Sequence, residues 1–156
     1  MAFTESVITV QKQIDDLLTG PSKSIIIGGG ASNEKIQQLE NYLNVSFPES
    51  YLWFLRKYGS IIAYGVEIEG VQRLGEAKDW HIAWLTLRER QAGLPNKYVI
   101  IDREDDTIYG IEAGNYELDS KVFSWSRQRN VQREESSSLY TFLSNTLEEA
   151  KSEWEE

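Results

Sequence analysis

Apolar residues recur every three to four positions from the N-terminus to Gly59, fall into short runs between glycines, and return to helical spacing near the C-terminus. Val7, Val10, Ile14, Leu17 and Leu18 place one face of a helix over Thr4 to Leu18, which Gly20-Pro21 ends. Ser32 as N-cap and Glu34 in the first turn, where a carboxylate complements the helix dipole, open a second helix. Its inward face is Ile36, Leu39 and Leu43, and Asn44 closes it. Phe47-Pro48 opens a third, with Pro48 in the first turn, where its missing N–H costs no hydrogen bond. That helix runs through Tyr51, Leu52, Phe54, Leu55 and Tyr58 and stops at Gly59, a residue suited to a left-handed terminus.

Beyond Gly59 the period changes. Ile62 to Ile68 and Gln72 to Leu74 read as short strands punctuated by Gly65, Gly70 and Gly75. Ala77, Trp80, Trp84 and Leu87 return briefly to helical spacing, as a short helix or an irregular lid. Three strand-like runs follow, Tyr98 to Ile101, Thr107 to Ile111 and Lys121 to Trp125, joined by turns at Asp102 to Asp106 and Ala113 to Ser120. A last helix from Ser136 to about Trp154 buries Leu139, Phe142, Leu143, Leu147 and Ala150. Sequential strands with short connections predict an α+β fold, a mainly antiparallel sheet flanked by N-terminal helices and a C-terminal helix. No repeat or linker marks a second domain. Residues 1–156 read as one, with its core at about 32–150 and the helix over 4–18 as a candidate extension.

Charge and composition narrow the function classes. A formal charge of -9 opposes binding to a nucleic-acid backbone, which needs clustered Lys and Arg. It is compatible with plain solubility and with a basic protein partner steered by opposite charge. With no cysteine, thiolate catalysis, disulfides and zinc–thiolate sites are excluded. No apolar run is long enough to span a bilayer, and the acidic start of the chain does not resemble a signal peptide, so the expected location is cytoplasmic.

Motif by motif, catalytic chemistry finds little support. Ile25-Ile26-Ile27-Gly28-Gly29-Gly30 before a capped helix has the order of a phosphate-binding loop. The helix then begins Ser32-Asn33-Glu34, with a carboxylate where phosphate would lie and no Lys-Ser/Thr pair, so the glycines read as a flexible joint. Asp102, Glu104 and Asp106 alternate as calcium ligands do, but Thr107 stands where an EF-hand loop needs glycine and Ala113 where it needs glutamate. His81, the only histidine, has no nucleophile-elbow pattern to serve and reads as structural. Trp125, ending a strand, reads as core. Trp80, Trp84 and Trp154 stand near charged residues, as interface anchors often do, although core packing is the commoner role for tryptophan.

The segment Ile36 to Gly59, IQQLENYLNVSFPESYLWFLRKYG, resembles the signature helix pair of the SUKH superfamily, the Smi/Knr-type domain. The matching positions are Ile36, Leu39, Glu40, Phe47, Pro48, Tyr51, Phe54, Leu55 and Gly59, and Tyr98 to Ile101 and Phe142-Leu143 continue the pattern. The resemblance implies an antiparallel sheet with flanking helices, Glu40 as an inward or interhelical residue, and Pro48 setting the angle between the helices. It supplies no catalytic residue to carry over; no enzyme activity, cofactor or metal is expected. Most bacterial members are similar in role to immunity proteins, antitoxins that bind and neutralise a polymorphic toxin domain, often a nuclease.

The expected function is therefore stoichiometric occlusion of a cognate, basic toxin, with no nucleic acid or membrane as partner. The alternative is a regulatory or scaffold interaction module, as eukaryotic relatives imply; a hydrolase using sheet carboxylates ranks third. The expected contact surface is the acidic turn Asp102, Glu104, Asp105 and Asp106, with Trp80 and Trp84 as anchors and a second acidic loop at Glu112, Glu117 and Asp119.

Overall fold

The computed structural model describes residues 5–19, 24–71, 81–126 and 132–154. The N-terminal helix α1 (Glu5–Leu18) is followed by strand β1 (Ile25–Ile27) and the helix pair α2 (Asn33–Leu43) and α3 (Glu49–Lys57). Strands β2 (Ile61–Ala63) and β3 (Val66–Ile68) precede α4 (His81–Gln91). Strands β4 (Tyr98–Glu104), β5 (Thr107–Glu112), β6 (Val122–Ser126) and β7 (Gln132–Ser136) then lead to α5 (Leu139–Trp154). All pairings are antiparallel, in two sheets ordered β1-β2-β3 and β4-β5-β6-β7. The α+β class with helices from both ends of the chain is as expected. The strands divide between two sheets that adjoin where Glu69 N–H donates to the Ile101 carbonyl at 2.6 Å.

The α2–α3 pair forms for the reasons its sequence gives. Ser32 Oγ accepts from Lys35 N–H at 3.2 Å, and Asn44 ends α2 in the left-handed region at φ 56°. Glu40 Oε2 reaches across the bend to accept from Phe47 N–H at 2.8 Å, so it joins the two helices. Pro48 sits one position earlier than expected, as the N-cap of α3. Leu39, Leu43, Phe47, Tyr51, Phe54 and Leu55 are buried together, with Phe47 edge-on to Tyr51 at 5.0 Å. The main core lies between these helices, α5 and one face of the four-stranded sheet. A smaller cluster of Leu85, Tyr98, Ile100, Ile108, Phe123 and Trp125 covers the opposite face. Ile14 and Leu18 of α1 are buried in the main core, α1 packs along α5, and Tyr64 Oη donates to the Leu17 carbonyl at 2.7 Å.

Several elements differ from the sequence reading. The triple isoleucine run is an edge strand, and the glycines after it form a packed joint: a Cβ at Gly30 would overlap the Arg56 carbonyl, and one at Gly59 the Gly29 carbonyl. Backbone approach, not freedom of motion, is what these glycines serve. Ile62 to Ile68 is a hairpin, not one strand, because Tyr64 and Gly65 both take positive φ, the conformation of a two-residue type I′ turn. Strand β4 continues to Glu104, leaving only Asp105 and Asp106 as the turn. Strand β7 was not expected, since four of its five residues are exposed and it carries no apolar alternation. The last helix starts at Leu139 instead of Ser136. In α4 the buried face is Ile82, Ala83, Leu85, Thr86 and Glu89, so Trp84 points outward, and Gln72 to Leu74, Ala77 and Trp80 lie outside the described residues.

Candidate partner-binding site

The hairpin β4–β5 carries the first expected acidic group. A register shift between Ile100 and Asp102 sets Asp102 opposite Tyr109 and turns it inward, where it is 2% exposed. Its Oδ1 accepts from Arg103 N–H at 2.7 Å, and its Oδ2 is buried without a hydrogen-bond partner. Burial, then the charge of Glu104, raises this carboxyl to about 8. Asp102 therefore belongs to the interior, while Glu104, Asp105 and Asp106 are exposed at the tip. Asp105 takes φ 52°, which a short side chain that can bond to its own backbone tolerates.

Behind that tip lies a groove of about 310 Å³ between the sheet and α5. Its walls carry Glu104, Glu135, Glu149 and Glu153 and the rings of Tyr109 and Phe142, 5.6 Å apart; among the described residues no lysine or arginine lines it, and Arg133 lies 3.8 Å from Glu135. Glu135 is fixed by Ser124 Oγ, which donates to its Oε1 at 2.7 Å. Burial, then Glu104 and Glu135, raises the Tyr109 hydroxyl above its ordinary pKa. Anionic oxygens beside aromatic faces are a receptor for ammonium or guanidinium groups. Of these groove residues only Glu104 was singled out from sequence. The others come from three elements, β5, β7 and α5, that only tertiary structure assembles.

The second acidic group lies elsewhere. Glu112 ends β5, the strand that begins at the hairpin tip, which places it about 17 Å from Thr107 at a strand rise of about 3.4 Å per residue. Glu112 pairs with Lys97 at 3.9 Å, both side chains half exposed. Glu117 is exposed, and its carbonyl accepts from Glu49 N–H at 2.8 Å. Asp119 is occupied structurally: its Oδ1 accepts from Ser120 N–H at 2.8 Å and Leu139 N–H at 3.1 Å, and its Oδ2 from Ser138 Oγ at 2.5 Å. These residues border a 650 Å³ depression that also carries Lys97 and Lys121, so its charge is mixed.

Trp84 is 51% exposed, stacks on His81 at 5.8 Å, and carries the Arg88 guanidinium at 5.2 Å. Trp125 is buried as expected, and Trp154, 57% exposed, lies beside the Gly65 turn. His81 is the residue whose surroundings the sequence disclosed least. Its Nδ1 lies 2.6 Å from Oε2 of Glu69, a buried carboxyl raised to about 8 by burial and then by Glu67. Glu67 and Glu69 were not singled out, although their Glu-Ile-Glu alternation does place both side chains on one side of the chain.

A family model described as SMI1-KNR4 cell-wall, of the SUKH group, matches residues 10–148. The chain belongs to the SUKH family. The match begins inside α1 and ends inside α5, so it takes in both sheets and the helix pair. In this SUKH chain the signature positions Leu39, Phe47, Tyr51, Phe54 and Leu55 are core, and Glu40 bridges α2 to α3. Among the described residues no helix is long and apolar enough to cross a membrane.

Proposed function

We propose that this SUKH domain is an immunity protein that binds one cognate toxin domain and neutralises it by occlusion. The observation that carries this reading is the set of carboxylates on the groove walls, Glu104, Glu135, Glu149 and Glu153, with Asp105 and Asp106 exposed on the turn next to Glu104. A nuclease groove built for phosphates presents Lys and Arg, and carboxylates on a hairpin can stand in for those phosphates. Occlusion asks no bond-making of the inhibitor, in keeping with a family similar in role to immunity proteins. Tyr109 and Phe142 supply the apolar walls against which a guanidinium or ammonium stem packs. Trp84, Glu112 and Glu117 remain candidate outer contacts in this proposal, whereas Asp102 and Asp119 support the fold.

The test is capture from lysate of the chain's own host at low and moderate salt, using the wild type beside a Glu104→Lys, Asp105→Lys, Asp106→Lys variant. A single basic partner with a toxin-like domain, held in equal stoichiometry and lost by the variant, is the expected result. A broad set of partners held equally by both proteins would point instead to a regulatory or scaffold module.

A further inference from the structure

Glu67 and Glu69 lie two residues apart at the end of β3, and His81 opens α4 beside them. Each of the three offers one ligand atom, and these atoms all lie within 4.8 Å of one another. The group is graded in depth: the Glu69 side chain is 6% exposed, that of His81 is 34% exposed, and Glu67 is at the surface. His81 Nδ1 lies 2.6 Å from Glu69 Oε2, and Glu67 acts on Glu69 by its charge and by a side-chain hydrogen bond, so the three side chains converge on one point. Asp102, 2% exposed and with Oδ2 unpartnered, is acted on by the charges of Glu104, Glu69 and Glu67. Against these carboxylates, Arg103 is the cation that acts on Glu69. Buried carboxylate oxygens without donors ordinarily coordinate or hydrogen-bond.

We propose that Glu67, Glu69 and His81 form a binding site for a divalent transition-metal ion, Zn²⁺ by ligand chemistry. One imidazole nitrogen and two carboxylate oxygens suit zinc better than calcium or magnesium, which prefer all-oxygen shells. Ligand atoms on a tetrahedral zinc stand about 3.4 Å apart, so His81 Nδ1 and Glu69 Oε2, 2.6 Å apart, part to admit the ion while Glu67, the exposed member, moves in. Three protein ligands leave a fourth position for water. The stacked indole of Trp84, itself beneath Arg88, holds the imidazole ring in place, as outer contacts do in metal sites generally. This inference is independent of the immunity reading and uses none of its groove residues except Glu104, whose charge acts on Asp102.

The experiment is calorimetric titration of ZnCl2 into the full, tag-free chain after EDTA stripping and dialysis, repeated with Co²⁺ for its visible absorption. The expected result is one zinc per chain, with affinity reduced at least about tenfold by Glu67→Gln and abolished by His81→Ala. Glu67→Gln alters an exposed residue, so it tests the site even if His81→Ala fails to fold. Zinc uptake that is absent from the stripped wild type, or unchanged in Glu67→Gln, would overturn the proposal.

Discussion

Asp102 sits in an unbroken charged run, Asp102-Arg103-Glu104-Asp105-Asp106, yet it is the one residue of that run that folding takes out of water. Its folded pKa of about 8 lies far above the ordinary carboxylate value, so the folded chain holds a proton that the unfolded chain has released. The stabilisation is complete at pH below about 4 and is lost as pH rises toward about 8. In EDTA-treated protein, urea unfolding of the wild type should therefore lose about 2 kcal/mol more between pH 5 and pH 8 than Asp102→Asn does. Equal pH slopes in the two proteins would refute this. Glu40 makes a comparable point from the other side: its bond to Phe47 N–H spans the α2–α3 bend, and Glu40→Ala should cost about 1 to 3 kcal/mol in the same assay. The role of Glu40 was legible in the helix-pair signature. The inward turn of Asp102 was not, because a register shift at Ile100 sets it and nothing in a charged run marks such a shift.

Elements with a buried stripe were legible, since burying that stripe is what stabilises them. Helices α2 and α5 follow their apolar spacing closely, and β4, β5 and β6 follow theirs. The polar edge strand β7 was not legible, being specified by pairing with β6 and not by a face of its own. Helix α5 forms one wall of the acidic groove, and its start depends on a residue distant in sequence. Asp119 bonds to Leu139 N–H and Ser138 Oγ, so Asp119→Ala should destabilise the chain by about 1 to 3 kcal/mol in urea unfolding. An Asp119→Ala variant as stable as wild type would show that Ser138 alone sets the start of α5. The joint at Gly30 offers a second test at this scale. Gly30→Ala drives a methyl into the Arg56 carbonyl and should lower the melting temperature by several degrees, about 2 kcal/mol or more.

At the scale of the molecule, the acidic groups divide by position. Sequence shows two acidic loops, and the fold separates them to opposite ends of β5 while bringing Glu135, Glu149 and Glu153 to the first. That assembly joins β4, β5, β7 and α5, an arrangement no local pattern encodes. The net charge of -9 was readable at once, but the gathering of Glu104, Glu135, Glu149 and Glu153 around one groove required the structure. Charge-led association is screened by salt, so complex formation should weaken as ionic strength rises.

The most direct measurement is isothermal titration of the captured toxin domain with the wild type and with the Glu104→Lys, Asp105→Lys, Asp106→Lys variant, at two salt concentrations. The account predicts one-to-one binding that weakens with salt and falls at least about tenfold in the variant. Wild-type and variant affinities that coincide at both salt concentrations would contradict it.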